Sequence, residues 1–72
     1  MNKKLEHTIV QYLTAHISIY ENLDEAMELT YDDMCDNHDI KPEDVELVAE
    51  KYKKRLDTYL KTVIKAKKDV LK

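Results

Sequence analysis

Apolar side chains recur every three or four positions along most of this chain, a spacing that predicts amphipathic helices. The first predicted helix covers residues 3–20, and Asn22 after it suits either a left-handed backbone position or a helix cap. The second predicted helix covers residues 23–37. Its apolar stripe consists of Leu23, Met27, Tyr31, Met34 and His38. Ala26 and Leu29 are expected to lie away from that stripe.

The third predicted helix covers residues 42–71, because nothing in that range interrupts a helical pattern. Pro42 lies at its first position, where the missing N–H costs no hydrogen bond. Glu43 and Asp44 follow at the positive end of the helix dipole. Apolar residues then recur at spacings of three and four, close to a heptad seam over about three and a half heptads of a helix roughly 46 Å long.

The composition agrees with an all-helical chain. There is no glycine and one proline among the 72 residues. Few positions therefore suit tight turns, and a fold of long helices needs fewer such turns than a fold of many short elements. We therefore predict an all-α fold for residues 1–72, a single three-helix, bundle-like domain with a long C-terminal helix. Disorder is the alternative, and the regular apolar spacing opposes it.

The length of the third helix predicts self-association. The first two helices are about 27 and 22 Å long, so they are expected to cover only part of it. Apolar side chains left in water would each forfeit about 1.5–3 kcal/mol, which favours a homodimer over a projecting helix or a different partner on the same face. The residues predicted to form this dimer interface are Tyr59, Leu60, Val63, Ile64, Val70 and Leu71.

Charge is distributed unevenly along the chain. Residues 51–72 hold nine positive and two negative charges, whereas residues 1–50 hold three positive and 13 negative charges. Lysines opposite the apolar stripe of the third helix could follow a row of phosphates. These candidate nucleic-acid-binding residues are Lys54, Lys61, Lys65 and Lys68. The simpler interpretation is a solvated helix face, since Arg55 is the only arginine and the nearby tyrosines belong to the apolar stripe.

The acidic charge is concentrated in the middle of the chain. Residues 21–50 contain 12 acids and one base, Lys41. Carboxylates repeated along a helix could imitate DNA phosphates and engage a basic protein, although a solvated acidic face is again the simpler interpretation. The candidate partner-binding residues are Glu25, Glu28, Leu29, Asp32 and Asp36.

Chemistry beyond binding has little support in the sequence. Residues 32–44 lack the residue order and the glycine of a calcium loop. Cys35, His38 and Asp39 could bind zinc chemically, but no second Cys or His pair accompanies them. No serine motif or phosphate-binding loop is present. We therefore expect no enzymatic activity, no metal, no cofactor and no small-molecule substrate.

The surroundings of the protein are also constrained. A single cysteine, Cys35, excludes an intrachain disulfide and fits a reducing compartment, so we expect the cytoplasm. No apolar run approaches the roughly 20 residues that span a bilayer, and we expect no membrane partner.

Three functions are compatible with these features. The leading hypothesis is a small helical regulator or inhibitor whose acidic surface binds a basic protein. The small size, the lack of glycine and the high charge are typical of phage or plasmid accessory proteins. The alternative is a homodimeric nucleic-acid-binding protein that uses the basic face of the third helix. The third is an oligomerisation module whose helical seam is itself the function.

Overall fold

Helices make up nearly all of the computed structural model, which describes residues 2–71 apart from the side chains of residues 37 and 71. They are α1 (Lys3–Tyr20), α2 (Leu23–His38), α3 (Pro42–Lys51) and α4 (Lys53–Leu71). The prediction of an all-α chain is confirmed. The described chain has a radius of gyration of 12.6 Å. None of the described helices has the length and apolar composition needed to cross a bilayer.

The junction between α1 and α2 is built from two adjacent residues with different roles. Glu21 has a left-handed backbone (φ 56°, ψ 32°), and its N–H donates to Ile17 O at 2.9 Å. Asn22 is extended, and its side-chain oxygen accepts from Glu25 N at 3.0 Å. Asn22 is therefore the cap of α2. The left-handed position is occupied by Glu21, whose side chain makes that backbone conformation sterically unfavourable.

The start of α3 is fixed by a similar set of contacts. Asp39 ends α2 with a left-handed backbone, at φ 49° and ψ 48°. The Lys41 N–H then donates to the Asp44 carboxylate at 2.9 Å, which satisfies a backbone donor at the helix start. Ile40 and Val45, on either side of this start, are both buried in the core.

The prediction of one uninterrupted helix over residues 42–71 is wrong at one position. Tyr52 has φ −106° and ψ 20°, outside the helical range, and it separates α3 from α4. Hydrogen bonds from Tyr52 N to Val48 O and from Leu56 N to Tyr52 O still join the two helices. The Tyr52 hydroxyl donates to Glu6 in α1, 46 positions earlier. Periodicity within one segment cannot encode a contact at that distance, so it could not predict the break.

The core takes side chains from every helix. Its buried members are Ile9, Val10, Leu13, Ile17, Ala26, Met34, Ile40, Val45, Val48, Ala49 and Leu56. The predicted apolar stripe of α2 is wrong at two residues, because Ala26 is fully buried and His38 is exposed. The buried line of α2 runs instead through Ala26, Thr30 and Met34, and the small side chains of the first two allow the neighbouring helices to pack closely.

Helix α1 lies alongside α4 and runs in the same direction. Glu6 bonds to Tyr52, Ser18 shares a 2.6 Å hydrogen bond with Tyr59, and Glu21 pairs with Lys67 at 3.2 Å. This arrangement covers more of α4 than the sequence predicted.

The residues predicted to form the dimer interface are therefore, for the most part, less exposed than a projecting helix would leave them. Four are half-buried within the single chain: Tyr59, Leu60, Val63 and Ile64. Val70 is 84% exposed, and the side chain of Leu71 lies outside the described residues. The free-energy argument for a homodimer is correspondingly weaker, and dimerisation stays a prediction.

Candidate functional site

The acidic candidates lie on the outer side of α2. The capping bond at Asn22 starts the helix, and burial of Ala26, Thr30 and Met34 turns the opposite side toward water. We call this side the acidic face, which consists of Glu25, Glu28, Leu29, Asp32 and Asp36. Its four carboxylates are exposed and Leu29 is half-buried.

The negative charge of the acidic face is not neutralised within the part of the chain that the structure describes. The ion pairs there are His16–Asp33, Lys51–Glu6 and Lys67–Glu21, and none of them involves a residue of the face. An uncompensated row of carboxylates produces a negative potential that attracts cationic groups over several ångströms.

An open groove of about 230 Å³ separates α2 from α3 beside the acidic face. Its apolar lining consists of Met27, Tyr31, Pro42 and Val45. Exposed carboxylates rim it at Asp24, Glu28 and Glu46. Glu28 thus belongs both to the acidic face and to the rim.

A second depression of about 320 Å³ extends this groove along the same two helices to the start of α4. It shares Met27 and Glu46 with the first depression and adds Leu23, Ala49, Glu50 and Lys53. Tyr31 and Pro42 line one end, and Leu23 and Ala49 line the other, so α2 and α3 are antiparallel here. We call the combined depression the α2–α3 groove.

Sequence reasoning missed this groove. It assigned Met27 and Tyr31 to a buried stripe, whereas both are half-buried because α2 is rotated toward Ala26. The apolar face of α2 is wider than one line of core contacts can cover, and this width is the sequence signal that could have indicated a partly exposed apolar surface.

A polar cluster joins α1 to the α3–α4 junction. Glu6 accepts hydrogen bonds from Lys51 Nζ at 2.8 Å and from the Tyr52 hydroxyl at 2.5 Å. These two donors, Lys51 foremost, hold the pKa of Glu6 below its ordinary value. The same bonds to Glu6 raise the pKa of Lys51 and of Tyr52. The cluster fixes the position of Tyr52 and engages its hydroxyl.

His16 makes a second polar link, between α1 and α2. Its Nε2 lies 2.8 Å from Asp33 Oδ2, and the rings of Tyr12 and Tyr20 flank it at 6.5 and 6.1 Å. Its Nδ1 is buried without a hydrogen-bond partner in the described chain. The side chain of Asp33 is thereby directed toward α1 and away from the acidic face.

The zinc candidates are not brought together. Among the described residues, no group of three His, Cys, Asp or Glu side chains is arranged to hold a metal ion, and this includes Cys35, His38 and Asp39. Cys35 is half-buried, and its thiol donates to Asp32 O at 3.5 Å. Burial, followed by the charges of Asp36 and Asp32, raises the pKa of this thiol.

The basic candidates lie on the outer side of α4. We call this the basic face, and its members, all exposed, are Lys54, Lys61, Lys65 and Lys68. Tyr52 and Tyr59 point toward α1, where their hydroxyls bond to Glu6 and Ser18. The basic face can therefore contact phosphates, but it offers no aromatic ring on which a base could stack.

No known protein family, curated protein or solved structure matches this chain. The candidate sites are accordingly judged from their own geometry and charge. The acidic face and the α2–α3 groove form one continuous surface that meets at Glu28, and the basic face lies on a different helix.

Proposed function

We propose that this protein is a small helical regulator or inhibitor that binds a basic protein through the acidic face of α2. One observation carries the proposal. Four exposed carboxylates follow one side of the helix without any ion pair in the described chain, and half-buried Leu29 lies beside them. Such a concentration of charge on one face would steer a partner of opposite sign toward it.

The regular repeat of these carboxylates along one helix would let the face engage a partner that ordinarily binds DNA. Residues three or four apart on a helix lie about 5–6 Å from each other, so the face presents charges at regular intervals along its axis. A DNA duplex carries its charges more densely, at about one per 1.7 Å, so the face would occupy only some of the cationic groups of such a partner. Leu29 would add an apolar contact near the centre.

The proposal requires binding alone and assigns no catalytic residue, metal or cofactor. We place the activity in the cytoplasm, because a lone thiol at Cys35 fits a reducing compartment.

Charge reversal tests the proposal. Glu28→Lys with Asp32→Lys places two lysines on the acidic face and is expected to abolish capture of the basic partner from a cell lysate. The matched control, Glu43→Lys with Asp69→Lys, makes the same change in net charge at exposed positions outside α2. Circular dichroism of both variants reports whether they remain folded. Undiminished capture by the folded Glu28→Lys, Asp32→Lys variant would show that the surface is wrong.

A second candidate function is a homodimeric nucleic-acid-binding protein that uses the basic face. The exposure of all four of its lysines supports this alternative. A dimer through the end of α4 would double the row of positive charge. Sedimentation equilibrium tests the dimer, and the dependence of binding on salt tests the contact with phosphates.

A further inference from the structure

We propose that the α2–α3 groove receives a basic amphipathic helix of the partner, an inference that rests on the proposed function and names the element that is recognised. The groove has an apolar floor made by Met27, Tyr31 and Val45, and both of its walls are helices. Open apolar grooves between two helices bind the apolar side of a third helix. The acidic face alone would need no such floor.

The dimensions of the groove match about two turns of helix. Between Leu23 and Tyr31, α2 advances about 12 Å, at 1.5 Å per residue. Apolar side chains at positions i, i+4 and i+7 of a bound helix span about 10.5 Å, so three of them fit between the two ends. An extended peptide would cover the same length with four residues, of which only alternate side chains could face the floor.

The rim of the groove decides the charge of the occupant. Its exposed acids are Asp24, Glu28, Glu46 and Glu50, and Lys53 is the single base. Lysines or arginines that flank the apolar positions of the bound helix would meet these carboxylates, whereas an acidic helix would be repelled. Because Glu28 also belongs to the acidic face, one bound helix can contact the groove and the face together.

The basic α4 of a second copy is a poor occupant. Its apolar side is already used within the chain, because Leu56 is buried and both Tyr59 and Leu60 pack against the core. Delivering that side to the groove of another copy would require α4 to leave α1 and lose the Ser18–Tyr59 and Glu21–Lys67 contacts. We therefore assign the bound helix to a separate protein.

A peptide titration tests the inference. The probe is a synthetic lysine–leucine peptide with leucines at i, i+4 and i+7, and the control peptide has the same composition with the leucines dispersed around the helix. We expect the first peptide to shift the backbone amide NMR signals of residues 23–31 and 42–53, and to bind at least roughly tenfold more tightly than the control. Equal binding of both peptides, or shifts concentrated in α4, would overturn the inference.

Two matched double variants separate the groove from the acidic face. Glu46→Lys with Glu50→Lys reverses charge on the α3 rim, and Asp32→Lys with Asp36→Lys makes the same change on the outer side of α2. We expect the rim variant to weaken binding of the amphipathic peptide roughly tenfold, and more than the outer variant does.

The pattern of losses distinguishes the two proposals. Weakening by the outer variant alone would overturn the groove and leave the proposed function standing. No weakening by either variant would overturn both. Groove signals that shift on raising the concentration of the protein alone would assign the groove to a second copy and also overturn the inference.

Discussion

Replacing Thr30 with valine is expected to stabilise this protein. The Thr30 side chain is fully buried in α2, and its hydroxyl has no hydrogen-bond partner in the described chain. Burying an unpaired polar group costs about 1–3 kcal/mol, and valine has nearly the same shape without that group. Threonine and valine also have similar helix propensities, so the local cost of the change is small.

The gain is expected to be about 1–2 kcal/mol, because the hydroxyl is hydrated in the denatured state and loses that hydration without a replacement partner when the chain folds. A domain of this size shifts its Tm by about 4–8 °C per kcal/mol. Urea and thermal unfolding followed by circular dichroism measure the change, and an unaltered urea slope would show that the compactness of both states is preserved.

Thr14→Val is the matched control. Thr14 is half-buried, and its hydroxyl donates to Val10 O at 2.8 Å, so valine there removes a hydrogen bond that is made. That variant is expected to be unchanged or less stable, by about 0.5–1 kcal/mol. If Thr30→Val were no more stable than the native protein, the Thr30 hydroxyl would be paired in solution and the packing of α2 would differ from that described.

Three further predictions follow from individual contacts. Glu6 has a lowered pKa, so its contribution to stability is present above the ordinary value of 4.5 and is lost as pH falls; Glu6→Gln should flatten acid unfolding below that pH. Asp39→Gly should stabilise by about 0.5–1 kcal/mol in urea unfolding, because glycine accepts the left-handed backbone and an anion leaves the α2 terminus, whereas Asp39→Ala should not. If the basic face binds DNA, changing its four lysines to glutamine should reduce the slope of log affinity against log salt by about 3–4, and an unchanged slope would exclude phosphate contacts there.

Much of the fold is encoded locally and could be predicted. Apolar spacing and the polar residues at 2 and 22 determine where α1 and α2 begin, and Pro42 marks the start of α3. These signals act over a single helical turn, so reading the chain in short windows is enough to find them.

The remaining features depend on contacts between distant segments. Tyr52 leaves the helix where its hydroxyl reaches Glu6, and α2 buries Ala26 because of the helices that pack on it. The half-burial of Val63 and Ile64 depends on α1 running beside α4, which no spacing within α4 reveals.

One of the candidate surfaces could be predicted from local sequence, and the other depends on contacts between distant segments. The acidic face could be located from sequence, because alternation of charge around a helix defines its solvent side. The α2–α3 groove could not, since it exists only where Met27 and Tyr31 of one helix meet Val45 of another.

The most direct test asks which class of macromolecule the protein binds. The native protein, the Glu28→Lys, Asp32→Lys variant and a variant with the lysines of the basic face changed to glutamine are immobilised, and each captures from cell lysate with and without nuclease. The account predicts that a basic protein stays bound after nuclease on the native protein and on the glutamine variant, and is lost from the charge-reversed variant. Capture that disappears with nuclease, or that survives reversal of the acidic face, would contradict it.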